Sequence, residues 1–122
     1  MTFLDKLSSK IRSHKERESD DSYVASLNKA GLNKILEKVG EEAIELLIAA
    51  KEGDQPKNKK ELVKETADLW FHCLVLLDQF NLSASNVLDE LEARADKSGH
   101  QEKRERGPNW LTINPYKYEL RS

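Results

Sequence analysis

Four acidic side chains, Glu42, Glu45, Glu65 and Asp68, occur as E-x-x-E and E-x-x-D on two successive helix-length stretches. At three-residue spacing the two acids of each pair share one helix face. The second pair lies within residues 62–80, where Leu62, Val63, Leu69, Trp70, Phe71, Cys73, Leu74, Val75, Leu76, Leu77 and Phe80 cover most of the circumference of a helix. Glu61, Glu65, Asp68 and His72 crowd into one sector of about 60° on that wheel. A helix apolar on nearly every side is expected to be buried. Buried carboxylates are costly unless paired, protonated or bound to a metal. Opposed across an antiparallel helix pair, the four acids offer hard oxygen donors suited to one or more divalent cations, most simply Mg²⁺.

The preceding stretch supplies the other half of that pair. Leu32, Ile35, Leu36, Val39, Ala43, Leu46, Leu47 and Ala50 recur at helical spacing, and Ile44 and Ile48 widen the apolar arc enough to imply more than one neighbour. Glu42 and Glu45 occupy the remaining face, with Lys38 and Glu41 beside them. The competing reading of either acidic motif alone is a solvated face with i, i+4 partners such as Lys38 and Glu42. For His72 the default is a core histidine hydrogen-bonded to a carboxylate.

At 122 residues the chain has the size of one domain, with a core small enough to gain from oligomerisation. A net charge of −2 gives no bulk attraction to nucleic acid or to an anionic membrane. The single cysteine, Cys73, excludes a disulfide framework or a thiolate zinc site and reads as a small buried hydrophobe. No signal peptide is expected, since Lys6, Lys10 and Arg12 interrupt the early apolar residues, and no run approaches the ~18 apolar residues of a membrane span. A reducing cytoplasm is the expected compartment.

Along the chain, Thr2 is placed to cap a first helix with Asp5 three residues on, and Phe3, Leu4, Leu7 and Ile11 face inward. Residues 15–22 read as a charged loop. Ser22 caps a short helix carrying Tyr23, Leu27 and Ala30, closed by Gly31. After the helix bearing E-x-x-E, residues 53–60 with Pro56 read as a polar turn. Asn81 ends the apolar helix, and a last helix starts near Ser83, stapled by Leu82 and Val87, and runs to Gly99. No run alternates over strand length, so the expected fold is all-α, an antiparallel bundle of about four to five helices. Residues 1–106 form the expected domain. Residues 107–122, with two prolines and Trp110, Tyr116 and Tyr118, read as a tail.

Carboxylate-held Mg²⁺ is the usual partner of phosphate chains, and a polyphosphate also needs protein cations. Lys34 and Lys38 share the acidic face; Arg94, Lys103 and Arg106 can close over it from the C-terminal side, although each is also an ordinary surface charge. The reaction class is metal-assisted hydrolysis of a phosphoanhydride in a nucleotide substrate. The absence of a glycine-rich phosphate loop excludes Walker-type chemistry.

The segments K-V-G-E-E-A-I-E-L (38–46) and E-T-A-D-L-W-F-H (65–72) resemble the MazG-like all-α pyrophosphohydrolase superfamily. Ser22-Tyr23, Leu27, Gly31 and Lys34-Ile35 upstream, and E-L-x-x-R ending at Arg94, Ser98-Gly99, Glu102-Lys103 and Arg106 downstream, are similar in order and spacing to the phosphoribosyl-ATP pyrophosphohydrolase family. The resemblance covers residues 3–106.

It implies Mg²⁺-dependent cleavage of phosphoribosyl-ATP to phosphoribosyl-AMP and pyrophosphate, the second step of histidine biosynthesis, on a helical fold completed by homodimerisation. It implies Glu42, Glu45, Glu65 and Asp68 as metal ligands and Glu41 as an outer ligand or general base. Lys38, Arg94, Lys103 and Arg106 become phosphate contacts, and Tyr23 stacks or packs near the nucleotide. Val24 stands where the family commonly has Thr, and Phe71 where Tyr is usual. Some members are fused to the cyclohydrolase of the next step; this chain lacks the length and cysteines for that domain, so phosphoribosyl-AMP cyclohydrolase would be a separate partner. Two alternatives stand beside this reading: a house-cleaning pyrophosphohydrolase of (d)NTPs using the same acids, and a non-catalytic helical adaptor.

Overall fold

The computed structural model describes residues 2–15 and 22–95. Among them there are five helices and no strand: α1 (Phe3–Lys15), α2 (Tyr23–Ala30), α3 (Leu32–Lys51), α4 (Pro56–Gln79) and α5 (Ala84–Ala95). Two units divide the chain after residue 84. The expected boundary at 106 and the tail at 107–122 lie outside the described residues.

Local signals set most helix ends. Thr2 and Asp5 form a reciprocal capping box: the Asp5 amide donates to Thr2 Oγ1 at 3.2 Å and the Thr2 amide to Asp5 Oδ2 at 3.0 Å. Ser22 Oγ accepts from the Ala25 amide at 3.2 Å and caps α2. Gly31, at φ 101°, closes α2 through a 3.0 Å bond to the Leu27 carbonyl and turns directly into α3, a backbone state that disfavours a side chain. Asn81, at φ 60°, ends α4, and the Leu82 amide returns to the Leu77 carbonyl at 3.0 Å.

One boundary differs from expectation. α4 begins at Pro56 rather than near residue 61, because proline at the first helical position lacks only a hydrogen bond that would be unmade anyway. Apolar periodicity sees only the part of a helix that packs, so the polar turn 57–60 was invisible to it. Asn58 Nδ2 secures the turn by donating to the Glu52 carbonyl at 2.8 Å.

The core joins α1, α2, α3 and α4 through Ile11, Val24, Leu27, Ile35, Leu74 and Val75, with Ala84 at the start of α5 among them and Leu4, Leu7, Phe71, Leu76 and Leu77 packed around. Asp78, on the buried side of α4, meets Arg12 at 3.2 Å and Lys15 at 3.3 Å, fastening α1 to α4 by charge. The expectation that α4 is enclosed on nearly all sides is corrected: Val63 is 71% exposed and Trp70 57%. On α3 the widened arc is likewise open, at Ile44, Leu47 and Ile48. A helix of about 36 Å has more apolar circumference than the other described helices cover. No helix among the described residues is long and apolar enough to cross a membrane.

Candidate active site

The helices α3 and α4 form the most extensive pair of the fold, joined by the short turn 52–55. That antiparallel pairing brings the two acidic motifs to the same height. One carboxylate oxygen from each of Glu42, Glu45 and Glu65 lies within 4.8 Å of the other two. Oxygens bound to a single Mg²⁺ or Ca²⁺ sit at most about 4–5 Å apart, so the triplet has the spacing of a shared cation. Asp68 is not in the triplet but lies close enough to act on both Glu42 and Glu65 through its charge.

The triplet is held in an unfavourable state. Glu42 is 7% exposed, and its Oε2 and that of Glu65 are buried without a hydrogen-bond partner. Burial first raises the Glu42 carboxyl above the ordinary glutamate value; the charge of Glu45, a hydrogen bond to it and the charge of Asp68 add to that, against a smaller opposing effect of His72. The carboxyl of Glu65 is raised by burial, then by a hydrogen bond to Glu45 and its charge, then by Asp68 and Glu42. Orphaned acceptors and mutual repulsion are what a bound divalent cation would relieve, so the donor set fits such an ion.

Cations stand at one side. Lys38 Nζ is 3.1 Å from Glu41 and 3.7 Å from Glu42, and its ammonium is held above its ordinary value chiefly by the hydrogen bond to Glu41. Glu41 is exposed and bound to Lys38 rather than gathered with the triplet. Lys34 points to Glu37 at 3.5 Å on the open surface. Within α5, Arg94 pairs with Glu90 at 2.7 Å. Lys103 and Arg106 lie outside the described residues. Glu61 falls outside the triplet but lines, with Glu45, Glu52, Asn58 and Glu65, a cavity of about 230 Å³ running on from it.

His72 is buried, as expected, but its partners differ from the carboxylate anticipated for it. Nδ1 is 2.7 Å from the backbone carbonyl oxygen of Asp68, and Nε2 is 2.8 Å from Tyr23 Oη. Its ring meets those of Tyr23 and Phe71 edge-on, at 5.7 and 5.3 Å between centroids. Tyr23 and Phe71 stack at 6.2 Å, so Phe71 keeps a packing role without a hydroxyl. Sequence reasoning placed Tyr23 near the nucleotide but missed that its hydroxyl belongs to His72. Residues 49 apart carry no spacing signal for such a bond.

An all-helical domain that gathers carboxylates from facing turns of two helices, with a lysine at the rim, has the build of a phosphoanhydride hydrolase. Residues 4–95 match the family model of phosphoribosyl-ATP pyrophosphohydrolase, and the chain belongs to that family. It is therefore a hydrolase of histidine biosynthesis.

Proposed function

We propose that the chain cleaves the α–β phosphoanhydride of phosphoribosyl-ATP, releasing pyrophosphate and phosphoribosyl-AMP, with Mg²⁺ held by Glu42, Glu45 and Glu65 and with Asp68 as a fourth donor. The observation that carries this reading is the triplet itself: three carboxylates from two helices, two with buried unpartnered oxygens. When bound, Mg²⁺ would neutralise phosphate oxygens and lower the pKa of an attacking water. Glu42 is fixed by burial, and the exposed Glu45 brings one carboxylate oxygen within 4.8 Å of both Glu42 and Glu65. Lys38 presents its ammonium at the rim, where its third hydrogen is suited to a phosphate oxygen. Glu41, exposed and ion-paired with Lys38, is proposed as an outer ligand or general base. Lys34, Arg94, Lys103 and Arg106 are proposed phosphate contacts of lower rank.

The open faces of α3 and α4 suggest a second copy of the chain. Ile44, Leu47, Ile48, Val63 and Trp70 are all more than half exposed on the helices that carry the acids, and self-pairing would bury them together. The product would pass to a separate phosphoribosyl-AMP cyclohydrolase. The lone half-buried thiol of Cys73 suits a reducing cytoplasm. Pyrophosphate release from phosphoribosyl-ATP, with and without Mg²⁺ and beside a panel of ordinary and deoxy NTPs, tests the reading. Magnesium-dependent release from phosphoribosyl-ATP alone is expected. Faster turnover of the NTPs would overturn the substrate assignment in favour of a house-cleaning enzyme.

A further inference from the structure

One stripe of α4 changes character halfway along. Asp68, Phe71, Val75 and Asp78 follow one another at steps of three or four residues, and Lys64, Lys60 and Lys57 continue the same steps toward the start of the helix. Beyond Asp68 the stripe is covered. Tyr23 of α2 stacks on Phe71, Val75 is buried in the core, and Arg12 and Lys15 of α1 hold Asp78. Before Asp68 it is exposed and carries the three lysines within about 60° of one another. None of them has an ion-pair partner among the described residues. They repel one another at i, i+3 and i, i+4 spacing. Lys57 also stands in the first turn of α4, which holds no acid and where the helix dipole disfavours a cation. The row therefore costs the folded chain stability, and an anion from outside would relieve it.

Its place says which anion. Lys64 is followed directly by Glu65, so the row starts at the edge of the carboxylate cluster and runs about 10 Å away from it along the helix. A phosphate chain held through a metal on the acids does not account for cations at the far end of that row. Phosphoribosyl-ATP has two phosphate-bearing ends. One is the triphosphate whose α–β anhydride is cleaved; the other, across the base, is the phosphate monoester of the added ribosyl group. An ordinary nucleotide has only the first. A lysine ammonium, a point charge with three donors on a flexible stem, suits a solvated phosphate monoester.

We propose that Lys57, Lys60 and Lys64 bind the phosphate monoester of the phosphoribosyl group and so distinguish this substrate from an ordinary nucleotide. This rests on the pyrophosphohydrolase reading above and adds substrate selection to it. The acids and their metal act on the anhydride at one end of the substrate, and the lysine row holds the other end.

The test is calorimetric titration of the full chain in Mg²⁺ with phosphoribosyl-AMP, which carries the monoester, with AMP, which lacks it, and with pyrophosphate. Wild type is expected to bind phosphoribosyl-AMP about tenfold more tightly than AMP, the size of three exposed charge contacts. The Lys57→Gln/Lys60→Gln/Lys64→Gln triple variant should erase that preference and keep its affinity for AMP and pyrophosphate. Its melting midpoint should be no lower than that of wild type, because a repelled row has been removed. Lys60→Gln alone should lose part of the preference. Lys59→Gln, which removes the same charge from a position about 100° round the helix, should lose none. Added salt should weaken phosphoribosyl-AMP binding in wild type and leave the triple variant little changed. A preference that is missing in wild type or survives the triple variant overturns the proposal. So does an equal loss on AMP or pyrophosphate, which would put the row at the triphosphate end, and so does a Lys59→Gln loss as large as that of Lys60→Gln. If wild type releases no pyrophosphate from phosphoribosyl-ATP, it is the pyrophosphohydrolase reading that fails.

Discussion

Two buried acids on the same helix pair live under opposite conditions. Asp78, 4% exposed, faces two cations, Arg12 at 3.2 Å and Lys15 at 3.3 Å. Glu42, 7% exposed, has one lysine at 3.7 Å and a lesser favourable effect of His72 against the acids Glu45, Glu65 and Asp68 around it. The first arrangement is matched in charge within the chain, its Oδ2 held by the ion pair with Lys15 and by no hydrogen bond, and it serves to hold α1 on α4. The second is complete only when something positive arrives from outside. Burial alone therefore does not distinguish a structural acid from a functional one; the sign of what surrounds it does.

Substitution at each acid should separate the two roles. Glu42→Gln is expected to lower pyrophosphate release about a thousandfold while leaving the metal-free protein as stable as wild type or more so by about 1 kcal/mol, since it removes a buried, repelled charge. Steady-state assay and thermal melting in EDTA check both halves, and a melting point several degrees below wild type would erase the contrast. Magnesium should raise the wild-type melting midpoint with concentration, by about 10 °C at a hundredfold excess over Kd, and should do far less for a Glu42→Gln/Glu65→Gln double variant. Asp78→Ala should behave in reverse. It is expected to lower the midpoint by about 5 °C at any Mg²⁺ concentration and to keep the Mg²⁺ response intact.

A smaller effect lies in pH. Glu42 and Glu65 both titrate above the ordinary glutamate value of 4.5, so between that value and their own the folded chain binds more protons than the unfolded one. Their contribution to stability is fully present below that window and fades as pH rises through it. Denaturant melts in EDTA across the mildly acidic range should show a decline toward neutral pH that the Glu42→Gln/Glu65→Gln variant lacks. Saturating Mg²⁺ should flatten it, because an ion replaces the protons.

Local signals were legible in the sequence where one or two residues suffice: the Thr2–Asp5 box, the Ser22 cap and the Gly31 turn needed no tertiary context. The convergence of the two acidic motifs was legible as well, because two antiparallel helices joined by a short turn leave little choice of register. Three features were not. Pro56 starts a helix whose first turn packs nothing, and apolar period cannot report on residues that bury nothing. Trp70 and Val63 were counted as buried because a helical wheel tallies apolar side chains without asking what packs against each of them. The bond from Tyr23 to His72 depends on how α2 lies across α4, which no spacing along one helix encodes.

The exposed indole of Trp70 gives the molecule an optical gauge. It stands in water two residues from Asp68, on the helix that carries half the acids. Its emission in the isolated chain should be that of a hydrated indole and should shift to the blue when the open faces of α3 and α4 are covered. With Trp110 replaced by Phe, that colour would report whether these faces are covered at concentrations far below those at which mass measurements can follow it.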